Sequence, residues 1–372
     1  MNSFDVIVIG AGPAGSATAI HLTSRGYEVL LLEKHFYPTH KLCGEFLSGE
    51  SRRNLLGLGL LEAVSEAGAR PVTQMLFSAA DGSRFSWRLP TPGFGISRYT
   101  FDHLLMIRAV AAGVTVRQGL SAKSIEGSLR AGFEVRTETE SFTSRVVVGA
   151  FGKRSLLDRK LERAFLHEAR PIVAFKAHFA SADPDGQVEL HAFDGGYCGI
   201  CPAGPDAINA CWLSSDEKLR RAGGDPDRLL QVIMAENGLI GARLEGLERI
   251  SSSYLATGQI HVRRKLPHER EVLMVGDAAG MIAPMCGEGM SMALRSAEMV
   301  VPLIDRHLRG RLSGEGLLKA YGRRWALEFR ARMYVGYWLH QGFGNPRAAL
   351  IGLRTVKTLP GLANLLFRST RS

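Results

Sequence analysis

The chain has 372 residues, 45% hydrophobic and 22% charged; this balance excludes a disordered or collagen-like polymer and leaves room for two or three compact units around a substantial core. Its 46 lysines and arginines against 36 aspartates and glutamates give a formal charge of +10. The cations are dispersed, with small concentrations at Arg263, Arg264 and Lys265, at Arg323 and Arg324, and in the tail at Arg354, Lys357, Arg368 and Arg371. No zinc finger, basic region or RNA-recognition signature accompanies them, so no nucleic acid is expected as a partner.

Val6, Ile7, Val8 and Ile9 make a short apolar run ending at Gly10, the pattern of a strand buried on both faces. A helical spacing follows over residues 14–24, and residues 29–32 read as a second buried strand, giving a βαβ opening. Residues 74–96 alternate, with turn signals at Asp81-Gly82 and at Pro90-Thr91-Pro92-Gly93, and imply antiparallel structure. A helix is expected over residues 101–112, strands at 114–116, 133–137 and 146–148, and further strands over 172–254 with one helix near 228–237. A buried strand at 272–275 precedes a helix at 289–306, and the last 60 or so residues are mostly helical.

The expected fold is therefore α/β (α+β), with domains discontinuous in sequence. A Rossmann-like nucleotide domain is expected from residues 1–73, 97–160 and 258–305, a β-sheet substrate domain from 74–96 and 161–257, and a helical C-terminal segment from 306–372. Five cysteines, an odd number, and an opening strand in place of a signal peptide imply a reducing compartment, with the cytoplasm as default. The longest apolar runs fall far short of the ~20 residues that a membrane span needs.

Two motifs carry the chemistry. In Gly10-Ala11-Gly12-Pro13-Ala14-Gly15, between a strand and a helix, Gly10 permits the tight turn, Gly12 lets the backbone approach a pyrophosphate, and Gly15 allows close helix packing. Glu33, at the end of the second strand, and Lys34 beside it fall where an acidic side chain accepts from ribose hydroxyls. Far along the chain, Gly276-Asp277-Ala278-Ala279-Gly280 follows a strand, and Pro284, Gly287, Glu288, Gly289 and Met290 open a helix. Such an aspartate can accept from a ribityl hydroxyl, while the helix N-terminus can stabilise negative charge on a reduced isoalloxazine.

Together these blocks resemble the p-hydroxybenzoate hydroxylase-like flavoproteins, across residues 1 to about 305. Residues 41–48, with Cys43-Gly44, look like the geranylgeranyl reductase branch, and Arg98 with Phe101, Asp102 and Leu105 fits the family's Arg-x-x-Phe-Asp-x-x-Leu helix. The resemblance implies FAD as cofactor, bound in a glutathione reductase type domain, with a β-sheet domain capping the flavin and NADPH or NADH as a possible donor. There are two departures. Phe151, before Gly152, stands where aromatic hydroxylases carry the aspartate of an Asp-Gly motif, which puts direct use of NADPH by this chain, in the hydroxylase manner, in doubt. The segment of residues 195–202 lacks both tryptophans of the halogenase Trp-x-Trp-x-Ile-Pro pattern, which argues against halogenation.

Cys43, Tyr197 and Cys201 are the active-site candidates. A Cys43 thiol could donate a proton, or the residue could simply pack beside Gly44. Cys198 and Cys201 have dithiol spacing, but side chains three apart on a strand face opposite sides, which favours packing. No residues have the spacing of a metal site. Residues 333–367 combine aromatics, leucines and flanking arginines, as would a membrane-surface helix or helices packed behind the substrate domain. The expected activity is that of an FAD-dependent oxidoreductase acting on a hydrophobic small molecule. Hydroxylation through a flavin hydroperoxide is placed first, prenyl-type double-bond reduction second, and a non-catalytic flavin scaffold last.

Overall fold

Val6, Ile7 and Val8 have no exposed surface because the strand that holds them, Ser3–Ile9, lies at the centre of a sheet covered on both sides. In this computed structural model, which describes residues 2–167, 172–182, 184–258, 265–359, 361–362 and 369–371, the strand pairs in parallel with Val29–Glu33 on one side and Ser141–Gly149 on the other. Thr115–Gln118 and Val272–Met274 extend the parallel core, and the hairpin Ser124–Ser128/Gly132–Arg136 adds antiparallel strands. Arg263, Arg264 and Arg368, with residues 360 and 363–367 of the aromatic C-terminal stretch, lie outside the described residues.

The second sheet runs Arg249–Thr257, Ile172–Ala180, Ala207–Ser215, Gly196–Pro202, Gln187–Phe193, Arg70–Ser78, Arg84–Gly95 and Phe46–Leu47. Its strands are mostly antiparallel, but Gln187–Phe193 pairs in parallel with Arg70–Ser78, so the sheet is mixed where antiparallel structure was expected. The expected break at Pro90-Thr91-Pro92-Gly93 is a correction of another kind. Strand Arg84–Gly95 continues through it, and the register shift between Val72 and Gln74 absorbs the prolines, which cannot donate to a ladder. The expected helix near 228–237 is Pro226–Glu236. It starts two residues early because the Asp225 side chain caps it, accepting from the Asp227 and Arg228 amides.

One face of the second sheet turns towards the first, and the other packs Phe175, Phe193 and Trp212 against Leu229, Ile233 and Ile240 of the covering helices. The chain then forms Gly289–Leu308 and the 30-residue helix Gly314–Phe343, followed by Pro346–Thr358. Leu317, Tyr321, Trp325, Phe329 and Met333 recur every four residues along the long helix, and all are buried. No helix among the described residues is long and apolar enough to cross a membrane.

Candidate cofactor and active site

Gly10 leaves the first strand with φ +104°, and a Cβ there would stand 2.5 Å from the Ala150 carbonyl oxygen. A Cβ on Gly15 would fall 1.8 Å from the Gly10 carbonyl oxygen, so only glycine lets the helix Pro13–Thr23 seat on the turn. Gly12 differs, because the nearest atom to a Cβ there is Arg98 Nη2 at 3.6 Å. Its open side faces a cavity of about 420 Å3. Glu33 accepts from the Ala11 amide at 2.8 Å and the His35 amide at 3.0 Å, which pins the turn to the end of the second strand.

That cavity runs between the two sheets. Gly10, Gly12, Pro13, Ala14, Glu33, Lys34, Cys43, Gly44, Arg98, Gly152, Tyr197, Cys201, Gly276, Asp277, Pro284, Gly287, Gly289 and Met290 all line it. Of the residues expected at the site, Gly15 alone is absent from the wall, because it supports the turn from behind. Arg98 begins the helix Arg98–Ala111, capped by the Ser97 side chain, and grips Asp102 through two 2.6 Å hydrogen bonds. At the other grip, a Cβ on Gly276 would lie 2.8 Å from the Ala14 side chain, so the two motifs touch. Burial raises the Asp277 carboxyl, while Lys153 and Lys265 pull it down. The Lys265 amine, lowered to about 8 by burial, donates to the Lys153 and Asp277 carbonyls at 2.9 and 3.0 Å.

Three groups escaped the sequence reading. Glu45, fully buried at φ +61°, receives hydrogen bonds from the Arg98 amide at 2.7 Å and from Lys176, and lies 2.6 Å from His178 Nε2. Burial alone would raise its carboxyl, but the Lys176 charge and the His178 hydrogen bond hold it down to about 2. This cluster locks the loop that carries Cys43, whose carbonyl also accepts from Asn209 at 3.0 Å. The available signal was two polar residues, Lys176 and His178, two apart on an otherwise apolar strand.

Glu288, between Gly287 and Gly289, is buried and stands 3.1 Å from Arg371 at the end of the chain. Burial raises its carboxyl to about 7 against the pull of Arg371. A folded value above the ordinary 4.5 means that its favourable contribution is complete below about 4.5 and is lost as pH rises through 7. Glu288→Gln is therefore expected to gain stability relative to the parent chain between pH 5 and about 8, measured by urea unfolding across that range. A constant difference would show that Glu288 ionises normally.

The thiols behave as packing groups. Cys198 faces the helix side of its strand while Cys201 faces the cavity, and burial pushes both well above the usual thiol range. They are not a dithiol pair. Cys286 packs against the long helix, where a Cβ on Gly336 would lie 3.0 Å from its sulfur, and burial raises it to about 12. Cys43 remains in the cavity wall and half-buried. The Tyr197 ring is packed edge-on by His340 and Phe343 of the long helix, and its hydroxyl proton finds no acceptor among the described residues.

A strand–turn–helix with an open Gly12 face, an acidic residue closing the turn, and a second glycine-rich helix start touching it from across the sheet together fit an elongated dinucleotide. Backbone amides at the helix starts would meet the diphosphate, and the apolar chamber beyond Pro284 would take a planar ring. The fold and site define an FAD-dependent oxidoreductase. Residues 3–331 match the family model described as an FAD binding domain, and the chain belongs to that family, among the p-hydroxybenzoate hydroxylase-like flavoproteins. Digeranylgeranylglycerophospholipid reductase 2 of Methanopyrus kandleri is 28% identical over 88% of this chain and 83% of its own. Menaquinone reductase of Mycobacterium tuberculosis is 27% identical over 90% and 85%. A solved flavin-dependent brominase superposes with a TM-score of 0.84 at 20% identity, covering 99% of this chain and 93% of its own, which is a likeness of fold.

Proposed function

We propose that the enzyme reduces a carbon–carbon double bond in an apolar, prenyl-type small molecule, with FAD held by the two glycine motifs. The observation that carries this reading is that the apolar end of the cavity offers protons, while the ionised Glu45 beside it is already engaged by Lys176 and His178. Met75, Val188, Leu190, Ile200 and Leu213 supply apolar wall, and the polar groups among them are the Tyr197 hydroxyl and the Cys201 and Cys211 thiols. Burial raises all three above their ordinary values, so each keeps its proton at neutral pH. When bound and reduced, the flavin supplies the electron pair and one hydrogen to one alkene carbon. On this reading Tyr197, a residue of the cavity wall, would give the other carbon its proton, and the Glu45 cluster holds Cys43 at the same chamber as a second protic group. The reductase relatives, named for prenylated lipid and quinone substrates, support this order.

Oxygen insertion, placed first on sequence, is the second reading. It is favoured by the apolar wall of the chamber, behind which His340 and Phe343 pack on Tyr197, because such a wall disfavours water beside a reactive flavin. NADPH and NADH are both candidate donors.

The test is turnover by photoreduced enzyme under argon with a geranylgeranyl-bearing lipid. A saturated product is expected, and Tyr197→Phe should slow its formation by about 10²–10⁴-fold at unchanged flavin content. A hydroxylated product formed only in air would replace the reductive reading with oxygen insertion. A bound flavin that neither nicotinamide nor light reduces productively would leave a scaffold.

A further inference from the structure

The long helix Gly314–Phe343 has a second face that nothing among the described residues covers. Opposite its buried Tyr321, Trp325 and Phe329, it presents Leu327, Tyr334 and Trp338 at 77%, 65% and 58% exposure. Their spacing of seven and four residues places them on one line. At 100° per residue, Arg323, Arg324 and Arg330 flank that line within about 60° on either side. All three arginines are exposed, none has an ion-pair partner among the described residues, and no acidic residue falls on this face. The helix's own Glu328 is turned aside to Arg295 and Arg332. Tyr334 and Tyr337 pack edge-on against Trp338, which fixes the indole at the surface.

A row of leucine, tyrosine and tryptophan bordered by arginines matches the boundary of an anionic bilayer. The rings sit at the level of the glycerol backbone and the guanidinium groups pair with headgroup phosphates. We propose that this face of the helix docks the enzyme on the surface of an anionic lipid membrane. The inference stands on the outer face alone and holds under either reaction. The helix's inner face reaches Tyr197 through His340 and Phe343 and Cys286 through Gly336, so docking brings the wall of the substrate chamber to the lipid surface.

The test is sedimentation of the flavin-loaded protein with vesicles of phosphatidylcholine alone and with vesicles in which roughly 30% of the lipid is phosphatidylglycerol. Binding is expected only to the anionic vesicles and should weaken in high salt. Replacing Arg323, Arg324 and Arg330 together by glutamine should weaken it about a hundredfold. Brominated lipid should quench fluorescence in the parent chain, and Trp338→Phe should remove that quenching while flavin content stays the same. Equal retention on neutral vesicles, no retention on either, or retention unaffected by the triple replacement overturns the proposal. A concentration-dependent dimer that Leu327→Ser and Trp338→Ser abolish would also overturn it, because the face would then join two copies of the chain.

Discussion

Glu45→Ala is expected to cost about 3–5 kcal/mol of stability, because it leaves Lys176 and His178 buried without their shared carboxylate. Urea unfolding at pH 7 measures the loss, and a change below about 1 kcal/mol would mean that water reaches the cluster. The pH dependence has a definite sign. A folded value of about 2, below the ordinary 4.5, means that the stabilisation is complete above about 4.5 and fades as pH falls towards 2. The gap between parent and variant should therefore narrow on acidification through that window. Because Glu45 also accepts from the Arg98 amide and orders the Cys43 loop, the variant should lose flavin more readily than it loses its fold.

Gly12→Val is expected to separate cofactor binding from folding. Gly12 has φ −70° and ψ −177°, an extended conformation that valine adopts freely. The nearest atom to a Cβ there lies 3.6 Å away, so the apo protein should unfold at the parent's midpoint. The added side chain would enter the cavity where a diphosphate must approach the backbone, and flavin affinity should fall by about 10–100-fold. Fluorescence titration with FAD measures it. Gly15→Val is the contrasting control, because its Cβ overlaps the Gly10 carbonyl and disturbs the apo fold as well. Unchanged affinity in Gly12→Val would move the diphosphate away from this turn.

The parts of the molecule that were legible in sequence are those whose physics is local. The opening βαβ unit followed from two apolar runs around a glycine turn, and the second motif from a strand followed by a helix start. The placement of Cys198 and Cys201 on opposite faces followed from the two-residue period of a strand. What was not legible depends on partners distant in the chain. Glu45 gains its meaning from Lys176 and His178, at separations of 131 and 133 residues. The parallel pairing of Gln187–Phe193 with Arg70–Ser78 is decided by packing across the sheet, since a strand's sequence does not state the direction of its neighbour. Glu288 was read as part of a helix start, and nothing nearby announces that Arg371 closes on it. The long helix was visible as helical, but which face it buries became clear only from its contacts.

The principal core does not respect the division into two sheets. Val6 and Val147 of the first belong to the same apolar cluster as Leu190, Tyr197 and Leu213 of the second, and Ile282 and Met285 are members of it too. Neither layer is thus a free-standing module that could be excised or exchanged intact. A cofactor lying in the seam touches both layers, so its occupancy would stabilise the two of them together against unfolding.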